Sequence, residues 1–196
     1  AKMRADIGSL NQSVRNTNDA ISLVNTYDGA AAEIESILIR MRELAVQTRN
    51  GTYEEADRTN ANFEYTALKN EITRIAGVSA FNRMTVGQGS SGAAGGTGVA
   101  DTTFTFYVGS DVAKTGNSIA FAAKALDLNL AVSSGTLNSV VDTASAGQAI
   151  ATLDDAITEL AANRAQAGAL INRLEHTVSN LMNVSQRLQE AVSGIE

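Results

Sequence analysis

The sequence predicts a mainly α protein: a long antiparallel helical bundle or coiled-coil rod carrying a small β-containing outer insertion. Three observations lead there. Apolar residues recur at heptad spacing over both ends of the 196-residue chain. Proline is absent, so nothing inside those stretches removes a backbone donor. Between them lie a glycine-rich run and short alternating segments of β type.

The first helix takes its seam from Met3, Ile7, Leu10, Val14, Ile21 and Val24, with Thr17 as the polar member. Near Tyr27-Asp28-Gly29 the pattern slips by one residue. It resumes at Ile34, Met41 and Thr48, flanked by Ile37-Leu38 and Leu44-Ala45. A slip without proline predicts one continuous helix whose partner changes along its length. Asn50-Gly51 should end it, because glycine accepts the left-handed conformation that closes a helix. Thr52 and Glu55 have the spacing of a capping box for a second helix reaching about Ala76, before Gly77. Its apolar positions include Ala56, Phe63, Ala67, Ile72 and Ile75, and Glu54 and Arg58 are spaced for an exposed i,i+4 pair worth ~0.2–0.5 kcal/mol.

The middle opens with GQGSSGAAGGTG at 87–98, read as a flexible loop. TTFTFYVGS at 102–110 alternates like a strand, and NSIAFAA at 117–123 is its expected partner; residues 125–141 show no clear pattern. The last helix is the strongest element. Positions 150, 153, 157, 160, 164, 167, 171, 174, 178, 181, 185, 188, 192 and 195 keep a strict 3-4 spacing, and all but Arg164 and Ser185 are apolar. Asp142-Thr143 and Ser145 offer its caps, with Gln148 three residues after Ser145. The expected division is therefore 1–86, the N-terminal part of a helical rod domain; 87–141, an outer insertion with short strands; and 142–196, the returning C-terminal helix. The chain begins in what reads as helix interior, so it is expected to continue upstream.

Composition narrows the function classes. The net charge is −6, and residues 1–50 balance six basic against six acidic side chains. No basic cluster is present to track phosphates, which argues against nucleic acid. No apolar run approaches the ~18 residues of a membrane span, and no signal peptide is recognisable. Without cysteine there are no disulfides and no thiolate chemistry.

Nor does a catalytic constellation emerge. His176, the single histidine, falls on the outward face of the last helix, and no HExxH motif is present. Glu54-Glu55-Asp57 and Asp154-Asp155 read as acidic first turns of helices, where the helix dipole favours negative charge. GGTG at 95–98 lacks the lysine and the strand–helix context of a phosphate loop. Asn11, Asn50 and Asn183 match the N-x-Ser/Thr pattern, mostly inside predicted helices. Arg40, Arg42 and Arg49 form either a solvated face, with Arg40 and Glu43 paired at i,i+3, or a recognition surface. The reading is a protein without enzymatic activity, metal or cofactor.

Longer blocks say more. LNQSVRNTNDAISLVNTYDGA at 10–30, followed by IRMRELAVQTRNGT at 39–52, resembles the N-terminal conserved region of bacterial flagellin. NEITRIAGVSAFNRMTV at 70–86 is similar to that family's next helix and β-turn, and ALINRLEHTVSNLMNVSQRLQEAVSGIE at 169–196 to its C-terminal helix. The blocks occur in the family's order around a variable middle.

The resemblance implies a structural subunit of the bacterial flagellar filament, assembling by helix–helix packing into a tubular propeller for motility. It implies other flagellin subunits as partners, contacts with a flagellar export chaperone and cap proteins, and export through the flagellar type III apparatus to an extracellular site. The family's extreme terminal helices are expected to lie outside this chain. Arg40, Arg42, Leu44, Gln47 and Asn50 become candidates for the contact between subunits. Arg40, Leu44 and Gln47 also match positions recognised by the host flagellin-sensing Toll-like receptor, with Glu64 at an acidic partner position. Ile39 departs from the polar residue common in strongly recognised members. The alternatives are a hook–filament junction protein, or a surface-exposed adhesive protein binding polysaccharide; for the latter only Phe104, Phe106, Tyr107 and Phe121 offer rings in the insertion.

Overall fold

The computed structural model describes residues 2–82, 84–86, 102–109, 117–124, 126 and 139–194. Three long helices dominate: α1 (Lys2–Arg49), α2 (Glu55–Val78) and α3 (Thr143–Ser193). Two small strand pairs join them, β1 (Ala80–Phe81) with β2 (Met84–Thr85), and β3 (Thr102–Tyr107) with β4 (Ser118–Ala123). The chain is mainly α, as its periodicity predicts. The glycine-rich segment 87–98 and most of 125–141 lie outside the described residues.

The strands follow their sequence signals. β1 and β2 are antiparallel, with Ala80 opposite Thr85 and Phe81 opposite Met84. Asn82, at the tip, adopts φ 49°, a left-handed conformation that asparagine tolerates better than branched residues. β4 buries every second residue, Ile119, Phe121 and Ala123, as a half-covered strand should. Phe121 is thus a core residue and offers no ring for stacking a sugar. Where β3 and β4 end, Val108 N–H donates to the Asn117 carbonyl at 2.8 Å. A Cβ on Gly109 would stand 2.3 Å from Asn117 Cγ, so any larger residue there would force the Asn117 side chain aside.

The helix seams are real, but their register differs from the predicted one. On α1 a seam of buried positions runs through 10, 13, 17, 20, 24, 27, 31, 34, 38, 41, 45 and 48, an unbroken 3-4 series, with Leu23 and Leu44 buried beside it. There is no slip at Tyr27-Asp28-Gly29. The apparent slip comes from preferring bulky Val14 and Ile21, which are half-buried, over Ser13 and Ala20, which are buried. The same substitution of neighbours occurs on α3: Leu153, Leu160, Ala167, Leu174 and Leu181 are buried as predicted. Yet Ala149, Ala156, Asn163 and Leu170 are buried beside half-covered Ile150, Ile157, Arg164 and Ile171. Small side chains sit on the seam and let helices approach, while the branched ones flank it.

Contacts divide the chain into two compact units. Unit 1 comprises Ala1–Asn25, Thr103–Ala122 and Gln166–Glu196. Its core gathers Leu10, Val24, Val108, Ile119, Leu170 and Leu174, and Ser185 on α3 donates to Asn11 on α1 at 3.1 Å. Unit 2 comprises Thr26–Thr102 and Ala123–Ala165. Its core holds Tyr27, Ile34, Leu38, Met41, Tyr65, Ile72, Leu153 and Leu160. Each aliphatic side chain moved fully out of water there contributes ~1.5–3 kcal/mol.

Of the apolar positions predicted for α2, Ile72 is buried, together with Tyr65 and Ala76, whereas Phe63 is 69% exposed and Ala56 and Ala67 also face solvent. Its N-cap is Glu54, without a side-chain capping bond, so the Thr52–Glu55 box does not form. α1 is not closed by a left-handed residue at Asn50 or at Gly51. Arg58 does that work from α2, donating to the Thr48 carbonyl at 2.9 Å and the Asn50 carbonyl at 3.0 Å. That arginine is therefore spent on α1's open end, not on the expected pair with Glu54. At the start of α3, Asp142 caps as expected, accepting from the amides of Ala144 (2.9 Å) and Ser145 (2.8 Å) and from the Ser145 hydroxyl (2.7 Å).

Candidate functional site

The residues singled out on α1 and α2 all belong to unit 2. The 3-4 seam turns positions 34, 38, 41, 45 and 48 inward, so positions 39, 40, 42, 43, 46 and 47 fall on the open faces. Arg40 reaches across to α2 and donates to Glu64 Oε1 at 2.8 Å, while its other arm meets Glu43 at 3.2 Å. Two candidates read separately in the sequence are thus one ion pair, and the i,i+3 pair with Glu43 also forms. The hydrogen bond to Glu64, then that to Glu43, raises the Arg40 pKa and fixes the guanidinium as a cation. All three side chains are about half exposed, so solvent screens the attraction.

Arg42 faces the opposite way, toward α3, and donates to Asp154 at 2.5 and 3.4 Å. The hydrogen bond from Arg42 lowers the Asp154 pKa. This corrects the reading of Asp154 as a first-turn residue: α3 begins at Thr143, about three turns earlier, and Asp154 is the partner of an arginine. Glu55 and Asp57 do occupy the first turn of α2.

Gln47 Nε2 donates to the Tyr53 hydroxyl at 2.7 Å, bridging the turn between α1 and α2. Asn50 is engaged through its backbone and side chain: its carbonyl accepts from Tyr53 and Arg58, and Oδ1 accepts from the Thr52 amide at 3.3 Å. Leu44 is only 2% exposed. Its side chain fills the core of unit 2, which removes it from the surface available to a partner.

The sequence reading missed the apolar members of this surface. Ile39 is 46% exposed, Val46 49% and Phe63 69%. Ile39 and Val46 are spaced i,i+7 and so share one face of α1, off the buried seam. Their spacing was visible in the sequence once the seam register was known; Phe63 was misassigned to the core. With Arg40, Arg42 and Glu43 as neighbours on α1, Ile39 and Val46 make a mixed apolar and charged face of the kind used for protein contact, and Phe63 is a separate exposed ring on α2.

Among the described residues no three of His, Cys, Asp and Glu are placed to hold a metal. No described helix is long and apolar enough to cross a membrane. His176 is exposed on α3, outside unit 2.

Comparison with known proteins sets this geometry in context. Residues 1–91 match the family model described as the bacterial flagellin N-terminal helical region, and residues 150–196 the C-terminal helical region. The chain is 38% identical over 196 residues to a flagellin from Halalkalibacterium halodurans, covering 99% of this chain and 66% of that one. It is 36% identical over 183 residues to the flagellar filament core protein flaB2 of Brachyspira hyodysenteriae, with 92% and 64% covered. The crystal structure of Bacillus cereus flagellin is similar at a TM-score of 0.68 and 34% identity, across 85% of this chain and 88% of that chain. The chain thus spans slightly less than two thirds of the length of the first two relatives.

Proposed function

The chain belongs to the bacterial flagellin family, and on that premise we propose that it is a structural subunit of the flagellar filament, located in the flagellum and serving motility. The observation that carries this reading is the exposed apolar pair Ile39 and Val46 on one face of α1, whose neighbours Arg40, Arg42 and Glu43 are charges already paired within unit 2. Paired charges lose less hydration energy when covered than bare ones, while the apolar side chains gain ~25 cal/mol per Å² removed from water. Such a face suits repeated contact with other copies of the chain and gives no basis for catalysis.

Assembly is tested by the double variant Ile39→Asp with Val46→Asp. Both side chains are exposed, so the helix content should stay at the level of the unaltered chain while seeded polymerisation is lost. Unchanged polymerisation of the folded variant would remove this face from the subunit contact. The named relatives are flagellins and filament core proteins, which favours the filament reading over a junction or adhesive role.

Export through the flagellar type III apparatus, with chaperone and cap contacts, belongs to the same proposal. Recognition by the flagellin-sensing Toll-like receptor would rest on Arg40, Gln47 and Glu64, with Leu44 acting only as packing beneath them. In a receptor reporter assay Glu64→Lys should lower the response severalfold; an unaltered response would exclude that epitope.

A further inference from the structure

We infer that unit 1 carries a binding cleft for a small oxyanion with a neighbouring hydroxyl group, held by Arg173 and His176 of α3. The cleft has a volume of about 510 Å³. Arg173, His176, Thr177 and Asn180 occur at i, i+3, i+4 and i+7, so one helix face presents all four side chains. Opposite them β4 supplies the exposed Ser118 and the buried Ile119, while Val108 is held in place by the hydrogen bond its N–H donates to the Asn117 carbonyl.

The chemistry of this lining is one-sided. It offers a guanidinium fork, an imidazole N–H, a serine hydroxyl and an amide, and no carboxylate among the described residues. Neither the Arg173 nor the His176 side chain has a hydrogen-bond or ion-pair partner among those residues. Arg40, Arg42, Arg74 and Arg164 by contrast all have carboxylate partners. A planar guanidinium beside an imidazole donor matches two oxygens of a carboxylate or phosphate. Thr177 Oγ already donates to the Arg173 carbonyl at 2.9 Å, so toward the cleft it offers lone pairs only. That is an acceptor for a ligand hydroxyl, which makes a hydroxy acid or a phosphate still bearing a proton the fitting class.

His176 is the only histidine in the sequence, so its imidazole C–H gives a single reporter resonance. The test is a titration of this chain, at fixed pH and ionic strength, with inorganic phosphate, with glucuronate and with glucose. Phosphate or glucuronate should shift the His176 signal and the backbone amides of 173–180 saturably, with half-saturation at roughly 1–10 mM, as expected for an open site; glucose should not. Saturation by phosphate alone identifies a phosphate ligand and saturation by glucuronate a hydroxy-carboxylate; either supports the site. Arg173→Met keeps the side chain's stem on the helix and should weaken binding at least ~5-fold with the remaining spectrum unchanged. Arg187→Met, an exposed arginine of α3 outside the cleft, should leave it intact. Shifts that grow linearly and are matched by chloride, or equal losses in the two arginine variants, would overturn the assignment.

Discussion

At Arg164 one guanidinium serves two carboxylates of α1, donating to Asp28 at 3.0 Å and to Glu35. The bond to Asp28, then that to Glu35, raises its pKa. The predicted seam counted Arg164 as a polar interruption; its side chain lies beside the seam, a third exposed, and closes unit 2 from the flank. Arg164→Met should lower the unfolding free energy by about 1 kcal/mol, a partly screened pair's share, in a urea titration. Tyr65 poses the converse case. Its hydroxyl is buried with no partner among the described residues, and burial raises its pKa so that it stays neutral. Tyr65→Phe should therefore leave stability unchanged or raise it by up to about 1 kcal/mol, whereas Tyr65→Ala should cost about 3–5 kcal/mol. Asp142 sets a pH dependence. The Ser145 hydroxyl, then the Ser145 amide, lowers its pKa, so its contribution is complete above the ordinary aspartate value near 4. That contribution is lost as pH falls through the depressed folded value. Thermal melts between pH 5 and pH 2 should accordingly show a shallower decline for Asp142→Ala than for the unaltered chain.

The helices were legible in the sequence because length and absence of proline leave few alternatives to a 3-4 pattern. Their register was less so, for a physical reason. Hydrophobicity ranks Ile150 and Ile157 above Ala149 and Ala156, but close helix contact selects for small volume, and the isoleucines cover the flanks. The consequence is measurable: Leu153→Ala, on the seam, should cost about 2–5 kcal/mol, and Ile150→Ala clearly less. If Ile150→Ala cost as much as Leu153→Ala, the register described for α3 would be wrong. Helix ends were legible only where the cap is local. Asp142 caps residues two and three ahead of it, within reach of any sequence motif. The end of α1 depends on Arg58, ten residues from Thr48, and only folding brings the two together.

At the scale of the molecule, the long conserved-looking blocks identified the family, and two family models and a solved flagellin agree with them. The proposed contact surface was half legible. Arg40, Arg42, Gln47, Asn50 and Glu64 were named from the resemblance, but their pairings and the exposure of Ile39, Val46 and Phe63 follow from packing. The compact units also divide the chain differently from the three sequence segments. Each unit draws on α1, a strand-bearing middle stretch and α3, because an antiparallel return places residues far apart in sequence side by side. The most direct test of the filament assignment is electron microscopy after seeding with fragments of a relative's filament, using this chain extended by the flanking segments of a longer flagellin. Tubular filaments with a regular helical lattice are the expected result. Monomers alone, at concentrations where an unaltered flagellin control assembles, would contradict it.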